Sequence, residues 1–440
     1  MTKEEKYSIA KWAMEHALKN GAQQAGVSIY ENNSSQVEVR EEKIDKLEEA
    51  NRNSMSIALY VDNKYSRIST NRLSNKEELG RFIEEAIAGT RHLSEDEFRT
   101  LPDPVLYYEG GGADLKTVDP EFRDIDPQQK INLAFSAEKE VLGKDERVLT
   151  VSTSYRDGMN GSVMVTSNGF EGDSENTYFS LFAEVTVKSG DARPQARWYD
   201  SAIFHGELAG EGIGQEAMKR ALDMLGQEKI QSGTMPMIVE NRVVGRNLLG
   251  PVIDALNGRS LQQKNSFLIG MAGEKIGSGL FHLVDDPFII SGRGSRHFDR
   301  EGLATRKWTI IENGILKDYF IDTYYGKKLG MAPTSGDTTN LVFRPGEKDL
   351  EGLVSELDRG ILVTGFNGGN CNRTTGDFSY GIEGFLVEKG KRVQPVAEMN
   401  ITGNMKQLWA SLAAVGSDVY TDSSWRMPSL VFDQVDFSGI

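Results

Sequence analysis

Glycine is spread unevenly along this chain: of 46 glycines, 33 fall in residues 201–440 and 13 in residues 1–200. A glycine lets the backbone turn tightly, or approach another strand where a Cβ would block it. The second half also carries short apolar runs, Met237-Ile-Val, Ile361-Leu-Val-Thr, Phe385-Leu-Val and Leu430-Val-Phe. Together these predict a strongly curved or closed sheet, a glycine-rich, β-barrel-like domain over 233–440. Asn313-Gly314 is placed to turn a hairpin between Thr309-Ile-Ile and Ile315-Leu, and Lys389-Gly390 another. A few helices interrupt the strands. Leu248, Leu249, Val252, Ile253 and Leu256 recur at helical spacing up to Asn257-Gly258. That reading puts Pro251 in the first turn, where a missing N–H is harmless. Short helices are predicted near 350–357 and 405–414.

The first half reads as α+β. Thr2 and Glu5 fit a capping box, and Ile9, Trp12, Ala13 and Ala17 then recur at helical spacing up to Asn20-Gly21, with Trp12 in the buried stripe. Val27 and Ile29, then Val37 and Val39, then Met55 to Val61 alternate as strands. Ser74 and Glu77 form a second capping box before Leu79, Phe82, Ile83, Ala86 and Ile87. Residues 1–95 thus predict a helix–antiparallel sheet–helix domain, and the proline- and glycine-rich stretch 96–126 a connection. Asp126-Pro127 opens a helix that runs to Gly143. Three dipeptides, Asp157-Gly158, Asn160-Gly161 and Asn168-Gly169, suggest hairpins among strands over 147–200, and a helix follows at 211–225. Residues 127–232 are expected to form a middle α+β domain.

Composition bounds the chemistry. Acids outnumber bases by 65 to 50, a formal charge of −15, which repels phosphate backbones and argues against direct nucleic-acid binding. Hydrophobic content of 38% with 26% charged residues is that of a globular protein. No apolar run approaches membrane-spanning length, and the charged start is not that of a signal peptide, so a cytoplasmic address is expected. Five His and the single Cys371 exclude a disulfide framework and Cys-rich zinc modules.

None of the five His is followed by Glu, so the zincin signature is absent. The stretch from Gly384 to Lys391 has one residue too many for a phosphate-binding loop, and Gly210 to Gly214 lacks dinucleotide spacing. His282, Asp285, Asp286, His297, Asp299 and Glu301 form an alternative oxygen and imidazole set for a metal. Its pairs match no recognised ligand spacing, and Asp299 and Glu301 serve equally well as partners of loop amides. Cys371 has Arg373 nearby but no His within twenty residues, so a structural thiol is the expectation. The five Trp show no basic interleaving.

The C-terminal motifs carry a resemblance. Ser266-Phe-Leu, Gly273-Glu, Asp285-Asp286-Pro287 and Ser295 to Gly302 resemble the PmbA/TldE branch of the TldD/PmbA family. So do Glu312-Asn-Gly-Ile-Leu-Lys, Thr375-Gly376-Asp377-Phe-Ser379 and Thr402-Gly-Asn404. The resemblance is strongest over 236–439. It implies a family historically described as modulators of DNA gyrase and, in two-subunit form, as metallopeptidases that trim leader peptides or degrade unfolded antitoxin-like substrates. The TldD-like subunit is implied to hold zinc through a His-Glu-x-x-x-His helix and a later Cys.

At the corresponding helix this chain has Gly250, Pro251 and Ala255 in place of those three residues, with Asp254 beside them, and no His occurs between 206 and 281. The later Cys is also missing between Val415 and Pro428. The resemblance therefore implies a non-catalytic subunit with no cofactor of its own, zinc being expected in a TldD-like partner. It would help bind and admit unfolded or leader peptides, with a homodimer as the alternative assembly in isolation. Two other functions stand beside this: a self-sufficient metal-dependent peptidase, and an adaptor acting on gyrase or toxin–antitoxin systems. The family motif loop is Thr375, Gly376, Asp377 and Ser379.

Overall fold

The computed structural model describes residues 1–440. In chain order the first half comprises α1 (Lys3–Lys19), β1 (Gln24–Arg40), β2 (Lys43–Val61), β3 (Lys64–Thr70) and α2 (Lys76–Thr90). It continues with α3 (Pro127–Lys139), β4 (Val148–Thr166), β5 (Glu171–Val187), β6 (Gln195–Ala202) and α4 (Ile213–Asp223). The six strands form one antiparallel sheet in the order β3-β2-β1-β4-β5-β6. It runs through both the 1–95 and the 127–232 segments, joined by the β1–β4 pairing from Gly26↔Thr166 to Arg40↔Ser152.

Alternation along β1 explains the two cores. Val27 and Ile29 pack under α1 and α2, whereas Val37 and Val39 pack under α3 and α4. All four share one face of a 17-residue strand, and between them the same face carries Glu31 and Ser35, both buried. Lys6 of α1 pairs with Glu31, and Lys130 of α3 pairs with Asp157 at 2.6 Å. The helices thus bring cations to the polar middle of an otherwise apolar face.

Local signals behave as short-range physics dictates. Thr2 and Glu5 close the capping box of α1, and Asp126 caps α3 through the Gln128 N–H. Several expectations need correction. The cap of α2 is Asn75, whose side chain takes the N–H groups of both Glu77 and Glu78, so Ser74 lies outside the helix. Trp12 is half-buried and stacks on His16, because the innermost stripe of α1 is the small residues Ala10, Ala13 and Ala17. The helix from Pro127 stops at Lys139, with Glu140 capping α4 instead: its carboxylate accepts from Gly212 N (2.6 Å) and Gly214 N (2.8 Å). Of the three hairpin dipeptides only Asn168-Gly169 turns the chain. Asp157-Gly158 and Asn160-Gly161 lie inside β4, held extended by partners on both sides in β1 and β5.

The second half starts with β7 (Gly233–Val239), α5 (Asn241–Val244), a π-turn (Gly245–Leu249), α6 (Gly250–Ala255) and α7 (Gly258–Gln262). Then come β8 (Leu283–Asp285), β9 (Trp308–Glu312), β10 (Ile315–Leu316), α8 (Thr323–Leu329), β11 (Leu341–Phe343) and α9 (Leu350–Ser355). The chain ends with β12 (Arg359–Cys371), β13 (Asp377–Glu388), β14 (Lys391–Asn404), α10 (Met405–Ala410), β15 (Leu412–Val415), β16 (Trp425–Arg426) and β17 (Leu430–Ser438). The helix expected over 405–414 is therefore a short helix followed by a strand.

Strands β14-β13-β12-β7-β17 are neighbours in that order, and β17 pairs back onto β14 from Asn400↔Ser438 to Thr402↔Asp436. This closes a five-stranded barrel with β15 added on β17. A small sheet, β10-β9-β8-β11-β16, lies beside it. One apolar core joins barrel, small sheet and the 241–255 helical run, which contributes Val244, Leu248, Leu249, Val252 and Ala255. No helix is long and apolar enough to cross a membrane.

Candidate functional site

The helical run begins at Asn241, directly after β7, so Pro251 lies in its interior and not in its first turn. A mid-helix proline lacks an N–H and crowds the carbonyl four residues back. Here the π-turn absorbs the misfit: the Gly250 N–H bonds the Gly245 carbonyl, widening the helix just before Pro251. Trp425 closes over this turn, 3.4 Å from where a Cβ on Gly245 would sit. Trp409, fully buried, donates from Nε1 to the Leu248 carbonyl at 3.3 Å.

The motif loop comes to the C-terminal end of this run. Asn372 Oδ1 accepts from the Thr374 N–H at 2.9 Å, starting the turn between β12 and β13. Thr375 Oγ1 donates to Asp377 Oδ2 at 2.7 Å, and Asn404 Nδ2 donates to Asp377 Oδ1 at 2.9 Å. These two bonds hold the Asp377 carboxyl below the usual range. Gly376, at φ +84°, lets the chain pass under the Phe267 ring. Ser379 is exposed on β13. Arg373 reaches from the loop to Asp254 at 3.1 Å, and its carbonyl accepts from the Phe267 N–H at 2.9 Å. Helix and loop, far apart in sequence, thus form one constellation.

Its donor chemistry is poor for a metal. Gly250, Pro251 and Ala255 offer no ligand atom, and Asp254 is engaged by Arg373. Cys371 is half-buried, and burial, then the Asp377 charge, pushes its thiol up to about 11, so it stays protonated at neutral pH. No group of three His, Cys, Asp or Glu in the structure is arranged to hold a metal ion. The zinc chemistry of the resembling family therefore does not fit these residues.

The alternative set over 282–301 is dispersed into structural roles. His282 Nδ1 faces Arg344 Nη2 at 2.8 Å, and burial and that charge lower its pKa. Asp285 accepts from the Thr339 N–H and hydroxyl, both at 2.7 Å, while burial raises its pKa. Asp286 pairs with Lys307 at 2.7 Å. His297 bonds the Ala113 carbonyl at 3.0 Å and stacks on Tyr108. Asp299 takes the N–H groups of Glu301 and Leu303.

Glu301 takes the Thr323 N–H at 2.8 Å. Burial, then repulsion from Asp299 and Asp322, raises the Glu301 carboxyl to about 7. The folded chain therefore holds this proton more tightly than the unfolded one. The associated stability is complete below the ordinary carboxylate pKa and is lost as pH rises through about 7. Glu301→Gln keeps an acceptor for Thr323 but cannot ionise. Relative to the parent it should raise Tm at about pH 8 and leave it nearly unchanged at about pH 5. Equal shifts at both pH values in a thermal melt would refute this.

A solved structure from Bacteroides thetaiotaomicron, named as a candidate modulator of DNA gyrase, is 49% identical to this chain, with full coverage of both chains and a TM-score of 0.98. The model for the PmbA/TldA metallopeptidase C-terminal domain matches residues 232–439, and that for the central domain residues 120–225. The chain belongs to the PmbA/TldD family. A curated relative, the metalloprotease PmbA homolog of Haemophilus influenzae, is 29% identical over 97% of this chain and 95% of its own length. TldE from Thermococcus kodakarensis shares the fold, with a TM-score of 0.86 at 22% identity, over 98% of this chain and all of its own.

For this PmbA/TldD member, reading the sequence located the helix and the motif loop but not the Arg373–Asp254 link between them. Arg293 falls outside the quoted motifs and Arg296 within one, and both gain meaning only from the buried, unpartnered nitrogens that the fold gives them.

Proposed function

We propose that this chain is the subunit of a TldD/TldE-type zinc metallopeptidase that holds no zinc itself and helps bind and admit unfolded or leader peptides to a TldD-like partner. One observation carries the reading: at the helix 241–255, the only carboxylate of the four compared positions is tied to Arg373, and the other three offer no donor atom. A single exposed carboxylate with no imidazole beside it does not supply the three ligands that a catalytic zinc and its water need.

A second feature supports peptide binding. Strand β12 pairs with β7 only over Ile361–Val363, so Thr364–Cys371 has no strand partner on that side. An extended peptide could add main-chain hydrogen bonds there with little sequence preference. The gyrase-related name of the Bacteroides relative suggests an adaptor instead, but a charge of −15 disfavours direct contact with DNA. A cytoplasmic address fits the proposed role.

The test is reconstitution. The purified chain alone should carry far less than stoichiometric zinc and leave an unfolded peptide intact. Mixed with a TldD-like protein bearing His-Glu-x-x-x-His, it should co-elute and support cleavage. Stoichiometric zinc together with peptidase activity in the isolated chain would overturn the reading.

A further inference from the structure

A cavity of about 980 Å³ lies between the first sheet and the Gly292–Arg300 loop, and no residue of the 241–255 run or of the motif loop lines it. The loop carries Arg293, Arg296 and Arg300 into its wall. Arg300 is balanced by Asp337 at 3.2 Å. Arg296 donates from Nη2 to the Thr338 carbonyl at 2.9 Å, but its Nε is buried without a partner. Arg293 has no ion pair and no hydrogen bond, and its Nη2 is buried. Burial lowers its pKa, the signature of a desolvated cation. Asp422 and Asp200 lie near the half-buried Arg293 without pairing with it, so a buried guanidinium N–H is left unmatched, and an incoming anion that accepts from it removes that cost.

The loop is built to stay in place. Gly294 N–H bonds Asn340 Oδ1 at 2.9 Å, and Ser295 Oγ bonds the Ile289 carbonyl at 2.6 Å. A Cβ on Gly294 would collide with the Thr339 backbone, so the loop packs against its support as only glycine permits. Of the acids that line the cavity, Asp173 pairs with Lys3 at 2.7 Å, Glu171 with Lys11 at 2.8 Å and Asp337 with Arg300, while Asp114, Glu175 and Asp299 form no ion pair. On the sheet side Tyr30, 45% exposed, presents a hydroxyl.

We propose that this cavity binds a small oxyanion-bearing ligand, a carboxylate or a phosphate, with Arg293 as its main contact and Arg296 Nε as a second donor. The planar guanidinium fork suits either group. The site is independent of the subunit role above, since binding is a property of the chain alone.

Calorimetric titration of the full chain tests it with two probes, inorganic phosphate and tetra-alanine with a free C-terminus. At least one should bind, and Arg293→Gln should weaken it by about tenfold or more. Arg293→Lys, which keeps the charge and loses the fork, should weaken it less and serves if the Gln variant misfolds. In the peptide arm, C-terminal amidation should cost a similar factor on the unaltered chain, which identifies a carboxylate as the source. Binding of phosphate but not peptide identifies phosphate. Arg392→Gln, at the remote Arg392–Glu351 pair, should leave binding unchanged. The proposal is overturned if neither probe binds, if both Arg293 variants bind like the parent, or if the peptide alone binds and its amide binds equally well.

Discussion

Replacing Asp157 with Ala should cost about 3–5 kcal/mol of folding stability, a large share of what a domain possesses. The carboxylate is 1% exposed and joins three elements. It accepts from the Ser35 hydroxyl of β1 at 2.7 Å, from the Tyr155 hydroxyl at 2.9 Å and from Lys130 of α3 at 2.6 Å. Its removal leaves the Lys130 ammonium, only 12% exposed, without a counter-ion, and strands two hydroxyls. The measurement is the urea midpoint. The double variant Asp157→Ala/Lys130→Met should recover much of the loss, because the orphaned charge is gone. A single-variant loss below about 1 kcal/mol would show that the pair behaves like an exposed one.

The second large effect concerns barrel closure. A Cβ on Gly384 would fall within the carbonyl of Leu362 and against the Val363 backbone, so β12 and β13 approach there as no side chain allows. The pairing register shifts at that point, between Val363 and Gly365 on β12 and between Ile382 and Gly384 in the pairing with β14. Gly384→Ala must therefore push strand backbones apart, at a cost of about 2–3 kcal/mol. Gly89, in α2, has nothing within 4 Å of its own Cβ position. Gly89→Ala should stabilise by about 0.4–1 kcal/mol, through a less flexible unfolded chain and better helix propensity. Opposite shifts in Tm from the same chemical change are the expected result. A neutral Gly384→Ala would show that the barrel yields locally.

Particular residues show where reading the sequence succeeded. The Thr2–Glu5 box and the Asp126-Pro127 pair involve groups within three residues of each other, so their geometry is set by the local chain. The turn at Asn313-Gly314 follows from two residues that tolerate positive φ, and that at Lys389-Gly390 from its glycine, with Lys389 drawn into the same region. The glycine density of the second half pointed to the closed barrel because closure needs repeated close approaches such as that at Gly384. The motif loop was legible as a pattern of residues, though not as a network around Asp377.

Other features depended on distant partners. Asp157-Gly158 has the composition of a turn, yet β1 and β5 hold it extended, and Lys130 makes burying Asp157 tolerable. Pro251 looked like the start of a helix, since a proline inside one normally breaks it. The π-turn that accommodates it relies on Trp425 and on Gly245, which sequence periodicity does not reveal.

The sequence alone determined the class of fold, the caps at Thr2 and Asp126, the turns at Asn168-Gly169 and Asn313-Gly314, and the lack of His between 206 and 281, because each depends on residue identity or on neighbours a few positions apart. The tertiary structure alone decided that residues 24–40 and 148–166 join two segments into one sheet. It also decided that Arg373 pairs with Asp254 and that Arg293 keeps a buried Nη2 with no hydrogen-bond partner. Those outcomes rest on charges and backbones brought together from far along the chain. Their energies follow from burial and separation in space, which no local pattern encodes.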